Sequence, residues 1–213
     1  MTAARHNAMP HNAMLSHAML SQAIPRFILA SASPRRLELL ARLGIAPHAV
    51  DPADIDESVK KGERPEPHVA RLSSEKAAVV SARHAGAVVL AADTLVAVGR
   101  RILPKAEDEA TARECLRLLS GRRHQVLTAM TIIDAQGVAR HRLSRSTVRV
   151  AQLRPADVEH YIASEEWCGK AGGYAIQGRF EAHIAWMEGS FSGIMGLPLF
   201  DARAMLTTAG ILG

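Results

Sequence analysis

Aromatic residues are scarce in this sequence, with two Trp, two Tyr and four Phe among 213 residues. Proteins that bind single-stranded nucleic acid by stacking bases on aromatic side chains are therefore a poor match. The hydrophobic fraction of 48% is nevertheless ordinary for a globular protein. We expect a substantial core, built mainly from Leu, Val, Ile and Ala.

Cysteines and long apolar runs are also few. Cys115 and Cys168 have neither metal-site nor redox spacing, and so few cysteines favour a reducing compartment, the cytoplasm. No apolar run approaches the roughly 18 residues that a membrane helix needs, so no membrane contact is predicted. The net charge of +5 comes from scattered residues. It suits an anionic ligand, and we expect no stable nucleic-acid complex.

The first 26 residues have a biased composition in which His, Asn, Ala and Met recur, beginning at His6, His11 and His17. They lack the continuous apolar centre of a signal peptide. We predict that residues 1–26 are a low-complexity, disordered extension. One folded domain is then expected over residues 27–213.

Hydrophobic periodicity in that region predicts strands separated by helices, together with an antiparallel pair. This order indicates an α/β protein with a mixed twisted sheet, flanking helices and two lobes around a cleft. The predicted strands are 27–30, 87–92, 126–133, 144–153 and 183–187, and the predicted helices are 34–43, 67–84, 108–119, 155–164 and 198–208, with a loop over 51–67.

The first candidate binding element is the start of the helix after the first strand. Ser33 is placed to cap the helix, and Pro34 suits its first turn. Arg35 and Arg36 oppose the helix dipole, at a cost of about 0.3–1 kcal/mol each. An anion bound there, with Ser31 nearby, would reverse that cost. A capped helix with solvated arginines explains the pattern equally well.

Asp93 and Thr94 are the second candidate, since they follow the apolar stretch 87–92. We predict that they lie at the carboxyl end of a buried strand, where open α/β sheets place ligands. A carboxylate there can hold a divalent metal ion or activate a water molecule. An aspartate that merely forms a turn is at least as common.

The third candidate is the glycine-rich segment, residues Gly169–Gly178. Its glycines let the backbone approach a ligand closely, and Lys170 adds a positive charge. Gln177 carries an amide that can donate and accept hydrogen bonds, as a nucleotide base edge requires. The spacing matches neither of the common phosphate-binding glycine motifs, so alone it indicates only a loop.

These segments occur in one order that closely resembles the Maf family. The resemblance covers residues 27–208. It implies an inosine-triphosphate-pyrophosphatase-like fold, hydrolysis of nucleoside triphosphates to monophosphate and pyrophosphate, a Mg²⁺ or Mn²⁺ cofactor, and a homodimer as an expected assembly. The matching segments are Leu29-Ala30-Ser31-Ala32-Ser33-Pro34-Arg35-Arg36, Ala92-Asp93-Thr94, Gly169–Gly178, Gly189-Ser190-Phe191-Ser192 and Gly196-Leu197-Pro198-Leu199.

The resemblance also implies a role for each matching residue. Asp93 corresponds to the catalytic acid, with Lys76 and Lys105 as supporting catalytic residues. Asp93 and Glu57 would hold the metal ion, although Asp93 cannot be both a fully engaged ligand and a free base. The residues expected to bind substrate are Ser31, Ser33, Arg35, Arg36, Thr94, Lys170 and Gln177.

Arg36, Thr94 and Gln177 resemble the branch of the family that prefers dTTP and UTP. The alternative branch prefers 7-methylguanosine triphosphate or other modified nucleotides. A phosphatase that releases single phosphates and a non-catalytic, nucleotide-binding regulator of cell division are the other candidates. The regulator is the main rival, and Asp93 argues against it because a pure binder of polyanions gains nothing from a carboxylate there.

Overall fold

The computed structural model describes residues 24–213. Residues 1–23, and with them most of the predicted disordered extension, lie outside the described residues. The helices are α1 Pro34–Arg42, α2 Pro65–Arg83, α3 Glu109–Leu119, α4 Pro155–Ile162, α5 Phe191–Met195 and α6 Leu199–Thr208, with a 3-10 helix at Arg179–His183. The strands are β1 Phe27–Leu29, β2 Ala49–Val50, β3 Val88–Val98, β4 Arg101–Leu103, β5 Lys105–Ala106, β6 Arg123–Ile133, β7 Ala139–Val150, β8 Lys170–Ala171 and β9 Ile184–Glu188.

The main sheet has seven strands in the order β2-β1-β3-β6-β7-β9, with β4 paired to β3 beside β1. β1 runs parallel to β2 and β3, and the remaining pairs are antiparallel. The expected mixed α/β sheet with flanking helices is thus confirmed. No helix within residues 24–213 is long and apolar enough to cross a membrane.

β3 is buried on both faces, and alternate residues pack into different clusters. Leu90, Ala92 and Val96 join the main core, to which α1, α3, α4 and α6 contribute. On the opposite face, Ala91 and Leu95 pack in two smaller clusters that contain residues of α2. This alternation determines which way the polar residues between them point.

Several predicted boundaries were wrong. The strand predicted to end at residue 92 continues to Val98, so Asp93 and Thr94 lie within β3 and not at its carboxyl end. α2 begins at Pro65 instead of residue 67, because proline is tolerated throughout the first turn of a helix. Ser33 occupies the N-cap position of α1 as expected, but its side chain makes no capping hydrogen bond.

A second, two-stranded sheet forms where the glycine-rich segment meets the chain after β4. β8 of that segment pairs with β5, which places Lys105 opposite Ala171 and Lys170 opposite Ala106. Gly172 has a φ of +67°, and a Cβ there would lie 2.9 Å from Val96. Glycine is therefore required where this smaller sheet rests against β3.

Candidate active site

The cleft is the cavity at the exposed edge of β3. β1 pairs with this edge as far as Leu90, and β4 pairs with it from Val96. Within the described part of the chain, the intervening residues 91–95 have no strand partner on this edge. A cavity of about 450 Å³ opens at this gap. Because no strand covers the edge, groups on both faces of β3 reach the same space.

Every site residue predicted from the sequence lines the cleft, although the strand position expected for Asp93 and Thr94 was wrong. β3 directs successive side chains to opposite faces, so Asp93 points toward α2 and Thr94 toward the main core. The predicted residues that line the cleft are Ser31, Ser33, Arg35, Arg36, Glu57, Lys76, Asp93, Thr94, Lys105, Lys170 and Gln177.

An ion-pair chain crosses the floor of the cleft. Lys76 lies on the buried face of α2, and its Nζ is 2.7 Å from Asp93 Oδ1 and 2.6 Å from Glu57 Oε1. Lys105 Nζ lies 3.2 Å from the other oxygen of Glu57. Asp93 and Lys76 are only 7% and 8% exposed. Burial at this level is costly for charges unless they are paired, and here they are.

Glu57 comes from the loop before α2, which offers no sharp sequence motif. Arg71 of α2 fastens this loop, since it donates to the Ser58 carbonyl at 3.0 Å and to Glu63 Oε1 at 2.7 Å. Burial opposes ionisation of Glu57, but the hydrogen bond and charge of Lys76, with those of Lys105, outweigh it and hold the pKa of Glu57 below its ordinary value. Glu57 is therefore an anion at neutral pH.

The two arginines of α1 are held by the far end of the chain. Arg35 Nε donates to the Met195 carbonyl at 3.3 Å, and Arg36 Nε donates to the Gly196 carbonyl at 2.9 Å. These carbonyls end α5, where the helix dipole favours cations. Arg36 also donates to Ser31 Oγ at 2.7 Å. Its guanidinium is thus largely committed to protein oxygens, whereas Arg35 keeps its terminal nitrogens for a ligand.

Burial lowers the pKa of both guanidinium groups, and the charges of Asp93 and Glu57 oppose this effect at Arg36. Arginine remains charged in proteins despite such shifts. Burial, followed by the charge of Arg35, also lowers the pKa of the Lys170 ammonium. These groups therefore repel one another in a partly desolvated space, which an anion would relieve.

Sequence reasoning missed the residues that fasten Thr94. Thr94 and Thr128 are cross-strand partners on β3 and β6, with their hydroxyl oxygens 2.9 Å apart. Thr128 in turn donates to the Gly193 carbonyl at 2.7 Å. Nothing in the local sequence signals Thr128, because its contacts depend on strand register. Gly196 belonged to a segment that carries the family resemblance but had no assigned role, and Gly193 was not singled out.

A divalent cation fits the donor set on the cleft floor. Glu57 and Asp93 supply carboxylate oxygens that already share one cation, the Lys76 ammonium. Mg²⁺ is commonly held by one or two carboxylates together with substrate phosphates. Among residues 24–213 there is no group of three or more His, Cys, Asp or Glu able to hold a metal ion. The remaining ligands of a cation at this place would come from phosphate and water.

The geometry thus describes a cleft that suits a polyanionic ligand. The same cleft contains the two carboxylates of Glu57 and Asp93. Residues 26–209 match the family model described as Maf-like protein. The chain belongs to this family.

Curated relatives are similar in sequence over most of the chain. A dTTP/UTP pyrophosphatase of Novosphingobium aromaticivorans is 56% identical over 187 residues, covering 88% of this chain and 93% of the relative. One from Zymomonas mobilis is 56% identical over 183 residues, covering 86% and 91%. One from Caulobacter vibrioides is 52% identical over 186 residues, covering 87% and 96%.

Solved structures give a weaker likeness. A HAM1 protein from Coxiella burnetii superposes with a TM-score of 0.47 at 15% identity, covering 86% of this chain and 98% of that chain.

Proposed function

We propose that this protein hydrolyses dTTP and UTP to the nucleoside monophosphate and pyrophosphate, in a house-cleaning role in the nucleotide pool. The observation that carries the proposal is the ion-pair chain of Asp93, Lys76 and Glu57, which faces Arg35 across one cleft. The relatives named dTTP/UTP pyrophosphatase support the same activity.

Charge accounting supports an anionic phosphate ligand. Five cationic residues line the cleft against two carboxylates, an excess of three positive charges. A triphosphate carries about four negative charges, and with one divalent cation its net charge of about −2 compensates most of this excess. The cationic residues are Arg35, Arg36, Lys76, Lys105 and Lys170.

The reaction breaks one phosphoanhydride bond. The oxygen of a water molecule attacks the α-phosphorus, and the bond from that phosphorus to the oxygen bridging to the β-phosphorus breaks. The bridging oxygen leaves with its electron pair as part of pyrophosphate. Asp93 Oδ1 accepts the hydrogen bond from Lys76, so we assign the proton of the attacking water to Oδ2.

The remaining groups of the cleft act on charge and position. Arg35, Lys105 and Lys170 bind the departing pyrophosphate as its charge develops. Arg36, held by Ser31 and Gly196, gives the phosphate pocket its shape. With Asp93 acting as the base, Glu57 and the phosphate oxygens would hold Mg²⁺ or Mn²⁺, which when bound neutralises charge on the phosphate oxygens.

Gln177 is the proposed determinant of base preference, and Thr94 lines the same cleft. Gln177 lies at the exposed end of the glycine-rich segment and lines the cleft. We place this activity in the cytoplasm, and both cysteines are free, as reducing conditions would leave them. A homodimer is the proposed assembly, without a stable nucleic-acid complex.

The test is a panel of dTTP, UTP, CTP, GTP and 7-methylguanosine triphosphate with separate detection of pyrophosphate and orthophosphate. We expect pyrophosphate from dTTP and UTP at the highest kcat/KM. Orthophosphate as the first product would identify a phosphatase. A preference for the methylated guanine nucleotide would assign the protein to the other branch, and binding without turnover would favour a regulator.

A further inference from the structure

The chain contains only two tyrosines, and both make contacts at the downstream half of the glycine-rich segment. Tyr174 lies within that half, and Tyr161 hydrogen-bonds to it. The Ala175 backbone N–H donates to Tyr161 Oη at 3.1 Å. Tyr174 Oη and His124 Nε2 share a hydrogen bond of 2.8 Å. The Phe180 ring packs against both tyrosine rings, with centroids 4.9 Å apart in each case. In a protein poor in aromatic residues, this concentration at one segment calls for an explanation.

His124 makes the arrangement costly. The side chain is 2% exposed, and its Nδ1 is the buried side-chain polar atom without a partner in the described part of the chain. A buried nitrogen without a partner destabilises a fold. A hydrophobic residue would pack there without that cost, whereas His124 supplies a hydrogen-bond partner for the buried Tyr174 hydroxyl. Burial lowers the pKa of His124 to about 4, so the imidazole contributes no charge to the cleft at neutral pH.

The glycine-rich segment is held in two independent halves. The upstream half contains β8 and Lys170, and pairing with β5 holds it. The downstream half, Tyr174 to Ile176, is buried and held by the tyrosine bonds. Gln177 follows directly and emerges exposed in the cleft. The phosphate-binding and base-facing ends of the segment are therefore positioned by different contacts.

We propose that His124, Tyr161 and Tyr174 are positioning residues that hold the backbone of residues 174–176 so that Gln177 meets the edge of the nucleotide base. This inference rests on the proposed function, in which Gln177 reads that edge. It adds buried residues that determine base preference from behind the wall of the cleft: His124 and Tyr161 do not line the cleft, and Tyr174 lines it but is only 6% exposed.

A double-mutant cycle on binding tests the proposal. Tyr174→Phe removes one hydroxyl and keeps the ring, and Gln177→Ala removes the amide. Dissociation constants for α,β-imido-dTTP are measured by calorimetry for the wild type, both single variants and the double variant. We expect each single variant to weaken binding about 5- to 10-fold and the double variant to be no weaker than the weaker single one. Effects that multiply in the double variant would overturn the proposal.

Steady-state kinetics give a second readout. Tyr174→Phe should raise KM for dTTP and UTP while kcat stays within about two-fold, because the lost contact acts equally in ground and transition states. A uniform fall in kcat on every nucleotide would indicate a general structural defect and contradict positioning. Thr131→Val is the matched control: it removes a buried hydroxyl bonded to Ser73 and His141 and should lower the melting temperature without changing KM.

A second variant keeps the test decisive if Tyr174→Phe folds poorly. Tyr161→Phe removes the acceptor of the Ala175 N–H from a different element and should show the same coupling to Gln177. Absence of coupling for both tyrosines would refute the proposal. Failure of the proposed function is seen separately, as absence of pyrophosphate release from dTTP by the wild type, because the cycle measures binding alone.

Discussion

The buried side chain of Asp93 can lose its charge without leaving Lys76 unpaired. Asp93→Asn keeps an oxygen that can accept from Lys76, and Lys76 retains Glu57 as its counter-ion. We therefore expect a folded variant whose pyrophosphate release falls by about three orders of magnitude or more, since general acid–base catalysis alone contributes about 10²–10⁴-fold. Turnover near the wild-type level would remove Asp93 from catalysis.

The matched control for this variant is Asp134→Asn. Asp134 is also buried, and its partner Arg140 lies 2.6 Å away, outside the cleft. It should lower the melting temperature while kcat stays unchanged.

Substitutions of Arg35 and Arg36 should have different effects, one mainly on nucleotide binding and the other mainly on protein stability. Helix-dipole reasoning alone predicts that removing Arg36 stabilises α1. Its bonds to Gly196, Ser31 and Thr94 reverse that expectation. Arg36→Ala should lower the free energy of unfolding by about 1–3 kcal/mol, because buried acceptors lose their donor.

Arg35→Ala should instead weaken nucleotide binding by about 1.5–3 kcal/mol with a smaller loss of stability, since Arg35 makes one protein bond. Calorimetric binding and denaturant unfolding on both variants measure the two effects. Equal stability losses would contradict this division.

At the scale of elements, the β5–β8 sheet positions Lys105 and Lys170 together. Gly172→Ala places a Cβ 2.9 Å from Val96 at a φ of +67°. Gly169→Ala has the same φ but nothing within 4 Å. Both variants should lose about 1–3 kcal/mol of stability through backbone strain. Gly172→Ala should lose additional stability beyond this strain and should also raise KM, because the clash of its Cβ with Val96 displaces β8 and Lys170 from β3.

Denaturant unfolding and kinetics on this pair separate strain from displacement. An equal KM for the two variants would show that the smaller sheet does not position the phosphate-binding groups.

For the whole molecule, His124 links stability to pH. Its pKa of about 4 in the folded protein lies below the ordinary value of 6.5, so the folded state binds fewer protons between those values. The contribution of the neutral His124 side chain to the free energy of unfolding is complete above about pH 6.5, and it is lost as the pH falls toward 4. Between pH 7 and pH 5, we expect a loss of about 2 kcal/mol.

Denaturant unfolding of the wild type and His124→Leu at both pH values measures this contribution. The variant is expected to lose less stability than the wild type between pH 7 and pH 5. Parallel pH profiles would contradict the assignment to His124.

Much of the fold follows from local pattern. The strand at 27–29, the helix opened by Pro34 and the β6–β7 pair have periodicities that the sequence displays directly. The short helix α5, by contrast, was not predicted. Its five residues, Phe191–Met195, are too few to show a period, and its role in holding Arg35 and Arg36 depends on contacts 160 residues away in the chain.

The sequence by itself determined the types of the long elements, the chemical character of the ligand and the residues that line the cleft. These depend on neighbouring residues, through periodicity, capping and the resemblance of short segments. Tertiary structure alone decided that Asp93 lies inside a long strand, because pairing with β6 and β4 extends β3 to Val98. It also decided that Arg36 donates to Ser31 and Gly196 and that both tyrosines make hydrogen bonds at the glycine-rich segment. Those facts depend on partners distant in the chain, which only the folded structure brings into contact.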